Sequence, residues 1–223
     1  MQSKNRFRVK LMVLAVVALW VQQSQPAAAQ VPPDENRKQL VEALGAPFVV
    51  FRDKVLDEIK VSDEQKDKLL EHMMTQIMET GPFLDSLAET GEEREKKLNE
   101  HRKKAHEKLA KFLKEVLKSE QLKRLRGIAL QQEGGLALVQ EDVQRELKIK
   151  QKQLMEFMAI TQELQSKIQA LIKEAQSGGK PEELRPKVLK IREAYGKKLE
   201  AVLTDEQTKK WKDMLGKSFD LGE

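Results

Sequence analysis

The sequence has 223 residues, of which 35% are charged, 39% are hydrophobic and only 4% are aromatic, and it contains no cysteine. Lys, Glu, Leu, Gln and Ala are frequent, as in long helices, whereas β-sandwiches and barrels need more β-branched and aromatic residues. The lack of cysteine excludes disulfide scaffolds, thiolate metal sites and cysteine nucleophiles. The composition therefore predicts an all-α protein.

Residues 1–29 have the features of a secretory signal peptide. Residues 11–21 are apolar, and residues 27–29 are three alanines, which suit a signal peptidase. Eleven apolar residues are too few to cross a hydrocarbon core of ~30 Å, which needs about 20 residues. We therefore expect cleavage after Ala29 and export to the periplasm. The segment begins with four basic side chains: Lys4, Arg6, Arg8 and Lys10.

Loss of that segment changes the charge balance. The full sequence has 41 Lys and Arg against 36 Asp and Glu, a net charge of +5. Without the four basic leader residues, 37 basic side chains face 36 acidic ones. A nearly neutral protein is a poor candidate for binding nucleic acid, which requires a sustained basic face. No later stretch has the length and apolarity of a membrane span, so we expect no integral membrane segment after cleavage.

Beyond an N-terminal tether and the start of the first helix at residues 30–44, the sequence repeats itself. Residues 50–65 align with 138–153 at an offset of 88, with four identities. Residues 107–125 align with 193–211 at an offset of 86, with eight identities. The alignments predict two copies of one helical unit, at about 45–132 and 133–220. The fold expected is two tandem, related long helical hairpins with short flanking helices, either elongated or bundle-like.

The first unit begins its long helix at Ser62-Asp63-Glu64-Gln65, a capping box in which Ser and Gln satisfy the free N–H groups of the first turn. The apolar stripe that follows runs over residues 69–78, and Gly81-Pro82 is expected to end the helix. A second long helix is expected over residues 92–117. Its exposed side carries Glu and Lys in the favourable i,i+4 order.

The second unit has the most regular pattern in the chain, a 3-4 repeat of apolar positions that requires a long partner helix. Ser177-Gly178-Gly179 interrupts it, and the next helix is expected to start at Pro181 or Pro186. Thr204-Asp205-Glu206-Gln207 is a second capping box. The repeat consists of Leu154, Phe157, Thr161, Leu164, Ile168, Leu171 and Ala175.

Four short motifs share an aliphatic residue followed four positions later by Gln. Ser62 and Thr204 supply the N-cap hydroxyl in two of them, whereas Lys118 and Lys150 occupy that position in the others. The interpretations are a helix cap or a client-binding element. The motif residues are Val61, Ser62, Gln65, Leu117, Gln121, Ile149, Gln153, Leu203, Thr204 and Gln207.

The Leu203-Thr204-x-x-Gln207 motif resembles that of the Spy/CpxP family of bacterial periplasmic proteins. The resemblance covers about 60–125 and 148–215, and the chain is also similar to secreted, Lys/Glu-rich bacterial proteins with repeated LTDEQ-type segments. It implies an elongated helical hairpin that often dimerises into a curved cradle. It also implies ATP-independent chaperoning, inhibition of a sensor kinase, or metal sensing. Family members usually carry two such motifs, so four are consistent with a duplication.

Two other clusters deserve a functional interpretation. Trp211 lies among Lys209, Lys210 and Lys212, a candidate surface for unfolded clients, although the same pattern fits a core Trp on a solvated basic helix. His72 and the methionines at 73, 74 and 78 have the chemistry of a Cu(I) site, but they also continue an apolar core stripe. We therefore predict no metal site.

The functional prediction is an exported helical binding protein, a Spy-like ATP-independent chaperone or envelope-stress accessory. One alternative is a structural or scaffold protein that pairs with a dedicated partner through its helical seam, and another is a periplasmic metal-responsive protein. No catalytic motif is present, so we predict no enzyme activity, no catalytic residue and no cofactor. The expected partners are unfolded or partner proteins and a second copy of the chain as a homodimer.

Overall fold

The computed structural model describes residues 37, 41, 44–87, 92–178 and 180–222. These residues form helices joined by short loops and include no strand, which confirms the all-α prediction. None of the helices in this part of the chain combines the length and the apolarity needed to cross a membrane. The predicted signal peptide at 1–29, and most of the tether at 30–44, lie outside the described residues.

The chain divides into two compact units. Unit 1 takes in the described residues up to Leu122, and unit 2 begins at Lys123. The division falls within the helix Ser119–Glu133, whereas the sequence repeat places its boundary at the end of that helix. The reason is that the Gln121 motif, which completes unit 1, occupies the first turn of this helix.

Unit 1 contains a 3-10 helix at Ala46–Phe51, then α1 (Asp53–Glu58), α2 (Asp63–Ser86), α3 (Glu92–Val116) and the first turn of α4 (Ser119–Glu133). Helices α2 and α3 are antiparallel, because Glu79 of α2 pairs with Lys108 of α3 at 2.8 Å while Gln65 near the start of α2 reaches the last residue of α3. The core residues with exposures of 1% or less are Leu44, Phe48, Val49, Val50, Phe51, Val55, Leu69, Met73 and Leu109.

The prediction that Gly81-Pro82 ends the first long helix is wrong. Helix α2 continues to Ser86 with Pro82 inside it. Proline removes one main-chain hydrogen bond from a helix, so the last turn needs other support. Phe83 provides it by stacking on His101 of α3, with ring centroids 4.0 Å apart.

Unit 2 contains the rest of α4, a 3-10 helix at Gly134–Val139, α5 (Glu141–Glu146), α6 (Gln151–Gln176), α7 (Pro181–Glu200) and α8 (Asp205–Leu215). Helix α7 starts at Pro181 and contains Pro186, which decides between the two predicted starts. Helices α6 and α7 pack along their lengths as the long partner pair that the apolar repeat requires. The unit's hydrophobic core consists of Leu130, Ala137, Leu138, Val143, Leu147, Phe157, Leu199 and Trp211.

A Schellman motif with lysine in the left-handed position occurs once in each unit. After α1, Lys60 has φ of 53°, and the Val61 N–H bonds to the Leu56 carbonyl while the Lys60 N–H bonds to the Asp57 carbonyl. After α5, Lys148 has φ of 52° and the same two hydrogen bonds recur, from Ile149 to Gln144 and from Lys148 to Arg145. Glycine is the usual residue at this position of the motif. The two units therefore share a backbone detail at the sequence offset of 88.

Candidate functional site

The glutamines of the four motifs form two pairs. In unit 1, the first Gln pair joins α2 and α4: Gln65 Nε2 donates to Gln121 Oε1 at 3.0 Å, and Gln121 Nε2 donates to Gln65 Oε1 at 3.1 Å. Each Oε1 also accepts from the N-cap main chain of its own helix, Ser62 at 3.0 Å and Lys118 at 2.9 Å. The remaining donations go to main-chain carbonyls, from Gln65 to Val116 and from Gln121 to Ile59 and Lys60.

The second Gln pair repeats this arrangement in unit 2. Gln153 Nε2 donates to Gln207 Oε1 at 2.7 Å, and Gln207 Nε2 donates to Gln153 Oε1 at 3.1 Å. The N-cap N–H groups of Lys150 and Thr204 donate to the two Oε1 atoms at 3.0 and 2.9 Å. The carbonyl partners are Val202 for Gln153, and Leu147 and Lys148 for Gln207.

The N-caps of the four motifs differ in one respect. Ser62 and Thr204 complete full capping boxes, since their hydroxyls also accept from Gln65 and Gln207 main-chain N–H groups at 3.3 Å. Lys118 and Lys150 keep only the half of the box that the Gln side chain provides. Capping at these two positions therefore rests on glutamine alone, because lysine has no acceptor.

The motif side chains are used inside their own units. Gln121, Gln153 and Gln207 have exposures of 8–9%, and Gln65 is half-buried. Buried amides of this kind are retained when all their hydrogen-bonding groups are paired. The arrangement ties the start of one helix to the end of a hairpin. The aliphatic members are buried or half-buried: Val61, Leu117, Ile149 and Leu203.

Trp211 is not an exposed residue, so its prediction as part of a client surface is wrong. Its exposure is 3%, it belongs to the core of unit 2, and its Nε1 donates to Glu200 at 3.3 Å. The reason is the helical period, which turns Trp211 inward four residues after the buried Gln207. The neighbouring lysines at 209, 210 and 212 are exposed, and Lys210 also donates to the Glu146 carbonyl.

Exposed apolar side chains of unit 2 include Leu189 of α7, which is 60% exposed, and two methionines of α6. Met155 and Met158 are 65% and 64% exposed, and they lie on the side of the helix that does not contain Phe157. Exposed, uncharged residues continue this side at a spacing of three and four, over a length of about 32 Å. We call it the Met/Gln face; its members are Gln151, Met155, Met158, Gln162, Gln165, Gln169 and Ile172.

The charges of α6 lie on a third side. Lys152, Glu156, Glu163, Lys167 and Glu174 follow a spacing of four and seven, and Lys173 at the C-terminal end is the one charge near the Met/Gln face. Sequence reasoning found the side of this helix that faces α7, where Phe157 is buried and the other described seam residues are half-buried, and missed the second uncharged stripe. This stripe has the same spacing of three and four residues as the seam, so the sequence contained it. A search for apolar residues does not find it, because most of its members are glutamines.

A shallow pocket of about 320 Å³ lies beside the 3-10 helix Gly134–Val139 and α7. Burial raises the pKa of the Glu133 carboxyl, and the charge of Arg192 and a hydrogen bond from Gln140 oppose that shift. The Gln140 bond connects the two ends of the 3-10 helix, which gives Glu133 a structural role.

The residues considered for copper do not converge. Met73 is fully buried and Met78 is 73% exposed, although both belong to α2. His72 is stacked on Phe112, with ring centroids 4.1 Å apart. Within the described residues no group of three or more His, Cys, Asp and Glu side chains is placed to hold a metal ion.

Comparison with known proteins gives no match: no protein-family model, no curated protein and no solved structure is similar to this chain.

Proposed function

We propose that this protein is an exported helical binding protein, a chaperone-like or envelope-stress accessory that works without ATP, and that the Met/Gln face of α6 receives its clients. The observation that carries the proposal is this exposed, uncharged face, in which Met155 and Met158 are 65% and 64% exposed, on a chain with 35% charged residues. Exposed apolar surface rimmed by polar residues marks interaction sites.

The chemistry of the face suits an unfolded polypeptide. Methionine side chains are flexible and polarizable, so they adapt to many apolar groups, and promiscuous binding proteins use such surfaces. Glutamine amides both donate and accept hydrogen bonds, so they can pair with the free main-chain N–H and C=O groups of an extended client. An uncharged face also binds without regard to the sign of the client's charge. Weak, broad binding is the expected result.

The proposal includes a duplicated architecture, in which the two units are tandem copies of one helical hairpin. The two Gln pairs support it, because both use the same donors, acceptors and N-cap groups. The two left-handed lysines support it as well, since Lys60 and Lys148 are 88 residues apart, as are Gln65 and Gln153. Each Gln pair lies where the first helix of its hairpin begins and the second helix ends, and we call this end of the hairpin its root. The paired root holds the long helices in place and leaves their outer faces for binding.

The function is tested by mixing the protein with several chemically different unfolded clients and following their aggregation by light scattering. We expect slower aggregation at near-stoichiometric ratios without nucleotide. Protection of none of the clients would overturn the chaperone role. Capture of one dedicated partner in its place would favour the scaffold alternative.

The surface is tested with a charge-matched pair of variants. Met155→Glu with Met158→Glu adds two negative charges to the Met/Gln face and should abolish protection, because clients would have to bury unpaired carboxylates. Lys152→Gln with Lys167→Gln lowers the net charge by the same amount on the charged side of α6 and should leave protection intact. Equal loss in both variants would remove the Met/Gln face from the proposal.

Export is tested by the intact mass of the protein from the periplasmic fraction. A mass that begins at Gln30 is the expected result, because the apolar run at residues 11–21 is followed by Ala27-Ala28-Ala29. A retained N-terminal segment would indicate an anchor and place the protein at the membrane surface.

A further inference from the structure

Histidine and phenylalanine side chains are exchanged reciprocally between α2 and α3. His72 of α2 stacks on Phe112 of α3, with centroids 4.1 Å apart and ring planes 6° from parallel. His101 of α3 stacks on Phe83 of α2, with centroids 4.0 Å apart and planes 9° from parallel. Each stack crosses the hairpin, so an imidazole on one helix packs against an aromatic ring of the other.

The surroundings of His72 do not accommodate a second ring proton. Its Nε2 is buried and has no hydrogen-bond partner, and its ring also faces Phe51 at a centroid distance of 6.4 Å. A cationic imidazole is a donor at both nitrogens, so protonation places an N–H where no acceptor exists. A buried unsatisfied donor costs the full desolvation of that group.

His101 has a buried hydrogen-bond partner on α2. Its Nε2 bonds to the hydroxyl of Thr80 at 3.2 Å, and Thr80 is 4% exposed. The charged groups that act on His72 and His101 from the two helices are Glu79 on α2 and Lys108 on α3, with Lys104 of α3 acting on His101 as well. Glu79 and Lys108 pair with each other at 2.8 Å, so the one nearby carboxylate is already neutralised by a lysine.

We propose that these two stacks form a proton-sensitive clamp, so that protonation of His72 and His101 opens the α2/α3 hairpin while unit 2 stays closed. Unit 2 has no histidine, because the chain's three are His72, His101 and His106. The device is therefore confined to one unit by composition. It is independent of the proposed client-binding role, which rests on α6.

The direction of the effect follows from linkage. Burial is the main cause that lowers the pKa of both His72 and His101 from the ordinary 6.5, and it outweighs the attraction of Glu79. The unfolded hairpin then binds more protons than the folded one at mildly acidic pH, so stability is present above about pH 6.5 and is lost as the pH falls. Each histidine contributes up to about a tenfold shift in the opening equilibrium between pH 7.5 and 5.5.

Hydrogen exchange with mass spectrometry on the whole protein tests the clamp, with rates normalised to the intrinsic exchange at each pH. Between pH 7.5 and 5.5, peptides from α2 and α3 should lose protection relative to peptides from α6 and α7, by up to about tenfold for each histidine. Equal losses in both units would indicate general acid destabilisation and overturn the proposal. No loss in α2 and α3 would overturn it as well.

Two variants separate the clamp from other acid effects. His72→Phe with His101→Phe keeps a flat ring in each stack and removes the titration, so α2 and α3 should become insensitive to pH in this range. His106→Gln leaves both stacks in place and should keep the full response of the wild-type protein. A pH response that survives in the double Phe variant would contradict the proposal. Should that variant fold poorly, NMR titration of the imidazole C–H signals of the wild-type protein decides, since a pKa at or above the ordinary value for both His72 and His101 would also contradict it.

Discussion

The hairpins of the two units have the same hydrogen bonds at their roots and different side-chain contacts along their lengths. Each root is fastened by a reciprocal Gln pair with the same pattern of partners. Farther along, unit 1 has two ring stacks beside the Glu79–Lys108 ion pair. Unit 2 instead has Lys198 and Lys187 at the positions that correspond to Phe112 and His101 at the offset of 86. These lysines pair with α6 carboxylates, Lys198 with Glu163 at 2.7 Å and Lys187 with Glu174 at 2.6 Å.

This difference shows which contacts specify the hairpin and which can vary. Exposed ion pairs contribute little to stability because water and salt screen them, and a stacked ring pair adds only a modest amount beyond the area it buries. The Gln pair instead satisfies several buried groups at once, and removal of one member leaves the others unpaired. The root therefore fixes the register, while the contacts along the hairpin adjust each unit's response to pH or salt.

The approach of the 3-10 helix to the second helix of the hairpin also differs. In unit 2, Gly135 and Gly196 let two backbones touch, since a Cβ on Gly135 would lie 2.2 Å from the Gly196 carbonyl oxygen. The corresponding residues of unit 1 are Pro47 and Ala110. Unit 2 therefore has a direct backbone contact that depends on two glycines, whereas unit 1 has a Cβ at both positions.

The largest effect is expected for the root of unit 2. Gln207→Leu removes the partner of Gln153 and leaves the Thr204 N–H and the Leu147 carbonyl unpaired, so the free energy of unfolding of this unit should fall by about 3 kcal/mol. Urea denaturation followed by Trp211 fluorescence measures it, because Trp211 is the single Trp after the predicted leader.

Two controls sharpen that measurement. Gln121→Leu breaks the other root and should leave the Trp211 transition in place, since Trp211 reports unit 2. Gln153→Leu combined with Gln207→Leu should cost less than the sum of the single changes, because neither amide is then left without its partner. Additive losses would show that the two glutamines act independently, against the reciprocal geometry.

The next largest effect is expected from a substitution that breaks the backbone contact of unit 2. Gly135→Ala places a methyl group against the Gly196 carbonyl and should destabilise unit 2 by about 2–3 kcal/mol, as expected for overpacking. Gly196→Ala is the matched change on the other side of the contact. Its Cβ would meet Gly135 N at 3.3 Å, and the gain in helix propensity offsets the crowding, so its effect should stay below about 1 kcal/mol. Thermal melts that rank the two variants in the reverse order would contradict the contact.

The helices could be predicted from the sequence because the patterns that indicate their starts and their inner faces involve residues close together in the chain. Capping boxes at Ser62 and Thr204 and the 3-4 repeat of α6 predict element starts and the buried seam from adjacent residues. Pro82 misled the prediction, because the stacking of Phe83 on His101 is a contact between residues 18 positions apart along the chain. A rule based on neighbouring residues takes account of the main-chain hydrogen bond that Pro82 removes. It does not take account of the packing between helices that offsets this loss.

The site was less accessible to sequence reasoning. The motif frame identified all four glutamines, but pairing depends on which helix starts meet in space, and that is set by the hairpins. Trp211 was placed among lysines on a surface because its neighbours in sequence are charged, whereas its neighbours in space include Leu138, Phe157 and Leu199. Chain neighbours on a helix point in different directions, so a cluster in sequence need not be a patch.

A smaller effect distinguishes the full and the half capping boxes of unit 2. Thr204→Ala removes a hydroxyl that accepts from the Gln207 N–H and should cost about 1 kcal/mol. Lys150→Ala changes a residue whose side chain caps nothing, and it should cost no more than a few tenths of a kcal/mol. Thermal melts read by Trp211 fluorescence compare the two. Equal costs would show that the hydroxyl half of the box contributes nothing.

The smallest expected effect is a gain in stability, and it uses the position at which the two units agree most closely. Lys60 and Lys148 occupy the left-handed region with φ of 53° and 52°, and both side chains are exposed. A non-glycine residue costs about 1–2 kcal/mol in this region, while glycine adds about 0.4–1 kcal/mol of unfolded-state entropy. Lys148→Gly should therefore stabilise unit 2 by about 0.5–1 kcal/mol in urea titrations followed by Trp211.

Lys148→Ala still has a Cβ and should give no such gain, so equal behaviour of the Gly and Ala variants would rule out backbone strain. Lys60→Gly should raise hydrogen-exchange protection in α1 and α2 and leave the Trp211 transition of unit 2 where it is.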